Sequence, residues 1–225
     1  SPERVKVSIN NKISRKKRNF FQFINPCFSE RSLANATEIS RNKAFDKKLN
    51  ILFVGRLEKA KGLDDLLLLL KKINNTEKIN SLTIIGTSKI KHRYEEMAKN
   101  IPFKTIFTGS ISRKEVFKYY AKSHILVLLS KTEGFPKVIM EGGSFGCVPI
   151  VSNIPNITEK IIHRYNGFIL EPESVSIKAK SFKNILNDTT KLKLCSKNII
   201  IDAKKFTFEN YLSQINNAFL SKTSQ

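Results

Sequence analysis

Apolar residues in this chain gather into short runs set apart by polar, helix-patterned stretches. From Asn50 onward the alternation is regular. Ile51-Leu52-Phe53-Val54, Leu82-Thr83-Ile84-Ile85, Thr105-Ile106-Phe107, Ile125 to Leu129, Val148 to Val151 and Phe168-Ile169-Leu170 predict strands. Runs that stay apolar at consecutive positions fit strands buried on both faces, as in a parallel sheet. Between them, helices are predicted over Gly62 to Ile73, Lys91 to Lys99, Ser112 to about Ser123, from Pro136, and briefly from Pro155. Ser112-Arg113-Lys114-Glu115 is a capping box that opens one of them. Further helices are predicted over Ser174 to Leu186, Thr189 to Lys205 and Thr207 to Leu220; the last places Phe208, Tyr211, Leu212, Ile215 and Phe219 close to one face. Alternating strands and helices predict an α/β fold, a parallel sheet with helices on both faces. Such sheets bind ligands outside the carboxyl ends of their strands. The conspicuous loops, after Val54, Ile85, Phe107 and Leu129, all follow strands.

The first 50 residues do not read as a complete domain. Val5 to Ile9 alternates like a short strand, Lys12 to Arg18 is basic, Phe20-Phe21-Gln22-Phe23 is aromatic, and Asn25-Pro26 reads as a turn before a polar stretch. The basic run is ordinarily a solvated face; contact with acidic lipid beside the phenylalanines is the less favoured alternative.

Candidate chemistry concentrates between Ser130 and Ser152. Glu133 lies in the loop after the apolar run ending at Leu129, and Glu141 lies over a turn into the following helix. Gly134 permits a close backbone turn. Pro136 suits a first helical position, and a helix starting there aims its N–H groups and positive dipole end at the loop, where an anion fits. Gly146-Cys147-Val148-Pro149 ends that helix. Earlier, Gly55 and Arg56 follow the first strand of the regular region, and Lys61-Gly62 opens the next helix. A guanidinium grips two diphosphate oxygens and an ammonium adds a point charge. Cations already in place stabilise the charge that grows on a leaving diphosphate.

Glu133 and Glu141 stand in E-x7-E spacing, with EGFP after an apolar strand and a small residue-Gly-x-Pro before the next. In these words the chain resembles the retaining GT-B glycosyltransferases of group 1, family 4. Its Arg56-x4-Lys61-Gly62 pattern resembles that family's diphosphate clamp. The resemblance runs from about Leu49 to Leu220. It implies a Rossmann-like C-terminal, donor-binding lobe, with the N-terminal lobe absent from this sequence. On that basis residues 1–48 are expected to be a connector or remnant of the first lobe, 49–205 the nucleotide-sugar-binding domain, and 206–225 a C-terminal helix and tail. The resemblance also implies roles. Arg56, Lys61 and Glu133 are the catalytic set, with Glu133 near the donor sugar and a developing oxocarbenium ion. Glu141 holds the ribose hydroxyls, and Gly55, Gly134, Phe135 and Pro136 shape the donor pocket. It implies transfer with retention, assisted by the leaving phosphate, so no nucleophile is assigned. By family frequency the donor is a UDP-sugar carrying a hexose-type sugar, and the acceptor a glycan or lipid-linked glycan. No cofactor or metal is expected. Two departures stand out: the family's Glu-Ala-(apolar)-Ala is here Glu141-Gly142-Gly143-Ser144, and a further common glutamate is Asn156. Two helical glycines cost roughly 1 kcal/mol each against alanine; close packing or a looser helix are the alternatives.

The totals narrow the partners. The chain has 225 residues, 40% of them hydrophobic, which supports a true core. Cys27, Cys147 and Cys195 have no metal-type or disulfide spacing, which suits a reducing compartment. No apolar run spans a bilayer, and a cytoplasmic location, at most peripheral on the inner membrane face, is expected. His92, His124 and His163 are scattered and read as ordinary. The net charge of +21 reflects either a lysine-rich solvated surface or an anionic partner such as a nucleotide, a membrane face or nucleic acid. The loops Gly86 to Lys89 and Thr108 to Ile111 are either nucleotide-facing or plain turns. Two alternatives to the enzyme reading remain: a non-catalytic subunit that docks a separate N-terminal-lobe chain, and a basic nucleic-acid-binding protein. The second is disfavoured because the aromatics form no stacking platform.

Overall fold

A computed structural model describes residues 7–9, 20–22, 24–73 and 77–217. Its main sheet has β3 (Leu49–Val54), β4 (Ile79–Ile85), β5 (Lys104–Gly109), β6 (Ile125–Leu128), β7 (Val148–Ser152) and β8 (Phe168–Leu170). All its pairings are parallel, in the order β5-β4-β3-β6-β7-β8. Chain order reverses between β3 and β6. That is the doubly wound, Rossmann-like arrangement, and it opens a crevice at this switch point. Earlier in the chain, β1 (Val7–Ile9) and β2 (Phe20–Gln22) form a separate parallel pair. The basic run Lys12 to Arg18, and Phe219 at the far end, lie outside the described residues.

Successive side chains on a strand face opposite ways, and the core divides accordingly. Ile51, Phe53, Ile125, Val127, Val148 and Ile150 join one cluster with α2 (Leu63–Lys71) and α7 (Val175–Asn187). Leu52 and Leu126, on the other face, pack with Tyr120 of α4 (Arg113–Lys122) and Phe145. Leu128 and Val151 pack with Ile139 and Met140 of α5 (Lys137–Ser144) and Ile199 of α8 (Thr189–Ala203). Burial on both faces is why these strands read as unbroken apolar runs. The predicted capping box forms: the Ser112 hydroxyl accepts from the Glu115 amide while the Glu115 carboxylate accepts from the Ser112 amide. In α2, buried Asp64 accepts from Arg93 and from the Tyr94 hydroxyl, pinning α3 (Lys91–Ala98) beside it.

Two local readings change. The polar stretch before Asn50 contains a helix, α1 (Glu30–Ser40), capped by the Ser29 hydroxyl and buried through Leu33 and Ala36. So few apolar positions give no helical period, and only the cap announces it. Pro136 stands at the N-cap, and α5 begins at Lys137. The glycines of α5 are explained by packing. A Cβ on Gly142 would meet Leu126 at 2.9 Å, and one on Gly143 would meet Ile199 at 2.5 Å. The helix therefore lies tight against β6 and α8. The segment after α1 is tied down by half-buried Lys43, which donates to the Tyr120 and Ser123 carbonyls at the end of α4 and to Cys147 Sγ. A cation at a helix C-terminus is favourably placed. At the other end of the chain, α9 (Phe208–Ile215) starts beside the connector, with the Phe208 amide donating to the Phe28 carbonyl at 3.0 Å.

Candidate functional site

The loops after β3 and β6 leave adjacent strands at the same sheet end, on either side of the switch point. After β3 the chain runs through Gly55 and Arg56 to a short 3-10 turn, Lys59–Lys61, and then Gly62. Gly62 has φ +73°, and a Cβ there would sit 1.9 Å from the Leu129 carbonyl oxygen. Only glycine lets the two loops approach this closely. The Lys131 amide, donating to the Ala60 carbonyl at 2.9 Å, completes the seam.

Across that seam Lys61 Nζ lies 2.7 Å from Glu133 Oε1. The Glu133 side chain is 8% exposed and that of Lys61 22%, so the pair is mostly withdrawn from water. The hydroxyl of buried Ser130 donates to the same oxygen at 2.7 Å. Asn156 donates its amide N–H to the Glu133 carbonyl at 2.5 Å, which a glutamate at that position, ionised, would not do. One ammonium, one hydroxyl and one side-chain amide thus fix both the carboxylate and the backbone of Glu133.

The other predicted residues are placed as follows. Arg56 shares the loop with Lys61 but pairs with Glu58 at 3.2 Å, and its side chain is 76% exposed. Gly55 donates its amide to the Ile85 carbonyl at the carboxyl end of the sheet. A Cβ on Gly134 would meet nothing within 4 Å, so that backbone faces open space. The ring of Phe135 stacks on Phe206 at 5.6 Å, which turns its side chain to the core and leaves its backbone at the loop. No side chain caps the N-terminus of α5 at Pro136. Glu141 is on α5 and is held by Arg113 at 2.8 Å, with the Tyr120 hydroxyl at 3.5 Å. The structure joins Lys61 to Glu133 directly; it gives Glu141 a different cation, Arg113, and Arg56 a local carboxylate, Glu58.

Residues that the sequence did not single out include Ser130, Arg113, Tyr120 and the donor role of Asn156. Arg113 was discoverable, since the capping box places it first in α4, at the same sheet end as the glutamates. Burial pushes the Cys27 thiol up to about 12, with Glu141 beside it adding to the rise. Burial, then Glu141, also holds the Tyr120 phenol well above its ordinary value. Both groups stay protonated beside the carboxylate. Volume alone does not mark the site. A cleft of about 230 Å³ reaches Ser130, Lys131 and Asn153 beside these strand ends. A roomier one of about 560 Å³, between β8 and α7, contains none of the predicted residues. Among the described residues no group of three or more His, Cys, Asp or Glu is placed to hold a metal. Nor is any helix among them long and apolar enough to cross a membrane.

Comparison with known proteins shows the family and the fold type. The family model "Glycosyl transferases group 1" matches residues 35–202. An uncharacterized glycosyltransferase of Haemophilus influenzae is 29% identical over 70% of this chain and 45% of its own length. An alpha-1,4-N-acetyl-D-galactosaminyltransferase of Campylobacter jejuni, named for a PP-undecaprenol-linked glycan, is 29% identical over 73% of this chain and 44% of its own length. The chain thus spans less than half of each of these curated relatives. Among solved structures, Anabaena HepE in complex with UDP-glucose superposes with a TM-score of 0.73 at 16% identity, over 94% of this chain and 62% of that one. That likeness carries the GT-B type of fold. With the family model covering most of its length, the chain belongs to the group 1 glycosyl transferases.

Proposed function

We propose that this chain is the C-terminal, donor-binding lobe of a retaining family 4 enzyme that transfers a hexose-type sugar from a UDP-sugar to a glycan or lipid-linked acceptor. The observation that carries the reading is the Lys61–Glu133 contact at 2.7 Å across the switch point. It puts a cation and an acid from separate loops where an open α/β sheet binds nucleotides. In this reading Lys61 neutralises the leaving diphosphate, and Arg56, itself exposed and held by the half-buried Glu58, swings in to join it. An exposed ion pair of that kind holds an arginine weakly. Glu133 lies beside the sugar ring, the backbone of Gly134 to Pro136 forms the sugar pocket, and Glu141 takes the ribose. UDP-glucose in the HepE complex and the undecaprenol-linked substrate in the Campylobacter enzyme's name support the donor and acceptor classes.

Calorimetric titration with UDP and UDP-sugars tests it. Charge-assisted bonds to phosphate contribute about 1.5–3 kcal/mol each. Removing both cations by Arg56→Ala with Lys61→Ala should therefore weaken UDP at least about tenfold. No binding by the wild type, or unchanged binding by a double variant that melts normally, rejects the proposal. The same cleft needs an acceptor-side wall, so these 225 residues are expected to bind donor without measurable sugar transfer.

A further inference from the structure

Arg113 is the first residue of α4, where β5 hands the chain to the helix. Its Nη2 donates to Glu141 Oε1 at 2.8 Å and to the Cys27 carbonyl of the connector. Its guanidinium also lies over the Phe117 ring, 5.2 Å from the centroid. Glu141 is thereby held unevenly. Its Oε1 is committed to the arginine, while Oε2 has only the long 3.5 Å approach of the Tyr120 hydroxyl. An ionised carboxylate oxygen accepts more than one hydrogen bond, and a ribose diol offers two O–H donors. We infer that Arg113 is a positioning residue for the nucleotide's ribose, turning the Glu141 carboxylate so that Oε2 faces the vicinal diol. This rests on the donor-site reading above.

The Glu141 side chain is 12% exposed and that of Arg113 55%. A carboxylate so far withdrawn needs a fixed partner, whereas the arginine gains little from a pair on the surface. The arrangement therefore serves the glutamate. Anchors from three parts of the chain meet at one nitrogen and its partners: α4 supplies the arginine, α5 the carboxylate, and the connector a carbonyl. The thiol of Cys27 and the phenol of Tyr120, both kept protonated mainly by burial, leave Glu141 without a competing anion at this point.

The test compares UDP with 2′,3′-dideoxy-UDP by calorimetry on the full chain. Wild type should prefer UDP about tenfold or more, the size of a charge-assisted bond. Arg113→Met should erase most of that preference by weakening UDP alone, with dideoxy-UDP affinity held within about twofold, which also reports an intact fold. In a Glu141→Gln background, Arg113→Met should produce no further change in the UDP to dideoxy-UDP ratio. A ratio that survives Arg113→Met, or an equal loss for both ligands, overturns the inference while leaving the donor site standing. Failure of wild type to bind either nucleotide removes the donor-site reading, and this inference with it.

Discussion

At neutral pH His124 is an uncharged ring wedged where α4 meets β6. Its Nδ1 accepts the Asn50 amide at 3.0 Å, which a protonated ring would not do, and Phe45 packs against it edge-on at 5.5 Å. Burial, and then the nearby Lys43 ammonium, lower its pKa from 6.5 to about 4. In the unfolded chain the same histidine protonates as pH falls through about 6.5. Between those values the unfolded state binds the extra proton, so stability falls as pH drops from about 6.5 to about 4 and is unaffected by this group below that. A window of that width is worth roughly 3 kcal/mol. Urea denaturation at pH 4.5 and 7 should show wild type losing about 2–3 kcal/mol more than His124→Gln between the two. An equal loss in both proteins would remove the histidine as the cause. Neither the partner nor the burial was legible in the sequence, where His124 reads as ordinary. The same holds at the site. Glu133 and Lys61 stand out because motif spacing and position after strands mark them. Ser130 does not, and Asn156 is marked only as a departure from the family pattern, because both act through the 2.7 Å and 2.5 Å bonds they make once the loops have met. Arg56 is legible as a residue, but its 3.2 Å pairing with Glu58 two positions on depends on the turn the loop takes.

Among the elements, α5 shows packing overriding intrinsic preference. Alanine at position 143 would raise helix propensity by about 1 kcal/mol. Its Cβ, however, would lie 2.5 Å from Ile199 Cγ1, and overpacking of a core contact costs about 1–3 kcal/mol. Gly143→Ala should therefore destabilise the fold by about 1 kcal/mol net, read from the denaturation midpoint. In an Ile199→Ala background the obstacle is gone, and the same change should stabilise by up to about 1 kcal/mol. An effect of the same sign in both backgrounds would show that the contact does not govern the helix. The six strands of the main sheet were legible because each is an apolar run or close to one, and α4 because its cap is written in four residues. The helix α1 was not, because its contact with the core is slight. The tightness of α5 could be posed from Gly142-Gly143 but not resolved, since the side chains that meet it come from β6, α4 and α8.

Over the whole molecule the charge of +21 is the property most open to two meanings. Exposed lysines lie on different helices and faces, among them Lys114 and Lys118 on α4 and Lys180, Lys193 and Lys197 on α7 and α8. The proposed donor site uses only a few of the cations, Arg56, Lys61 and Arg113. A diffuse field of this kind attracts polyanions without shape or sequence preference, and counterion release makes such attraction steeply salt-dependent. The chain should therefore retard duplex DNA in low salt and release it by about 200 mM, where contacts to several phosphates lose about a thousandfold in affinity or more. UDP carries far fewer charges and is gripped by fixed groups, so its affinity should fall much less over the same range. Two features separate the surfaces in one experiment. Saturating UDP should leave DNA retardation unchanged, and Lys61→Met should weaken UDP while DNA binding persists. Competition between UDP and DNA, with both lost in the Lys61 variant, would mean that a single basic groove serves both ligands, and the nucleic-acid alternative would then displace the transferase reading of this site.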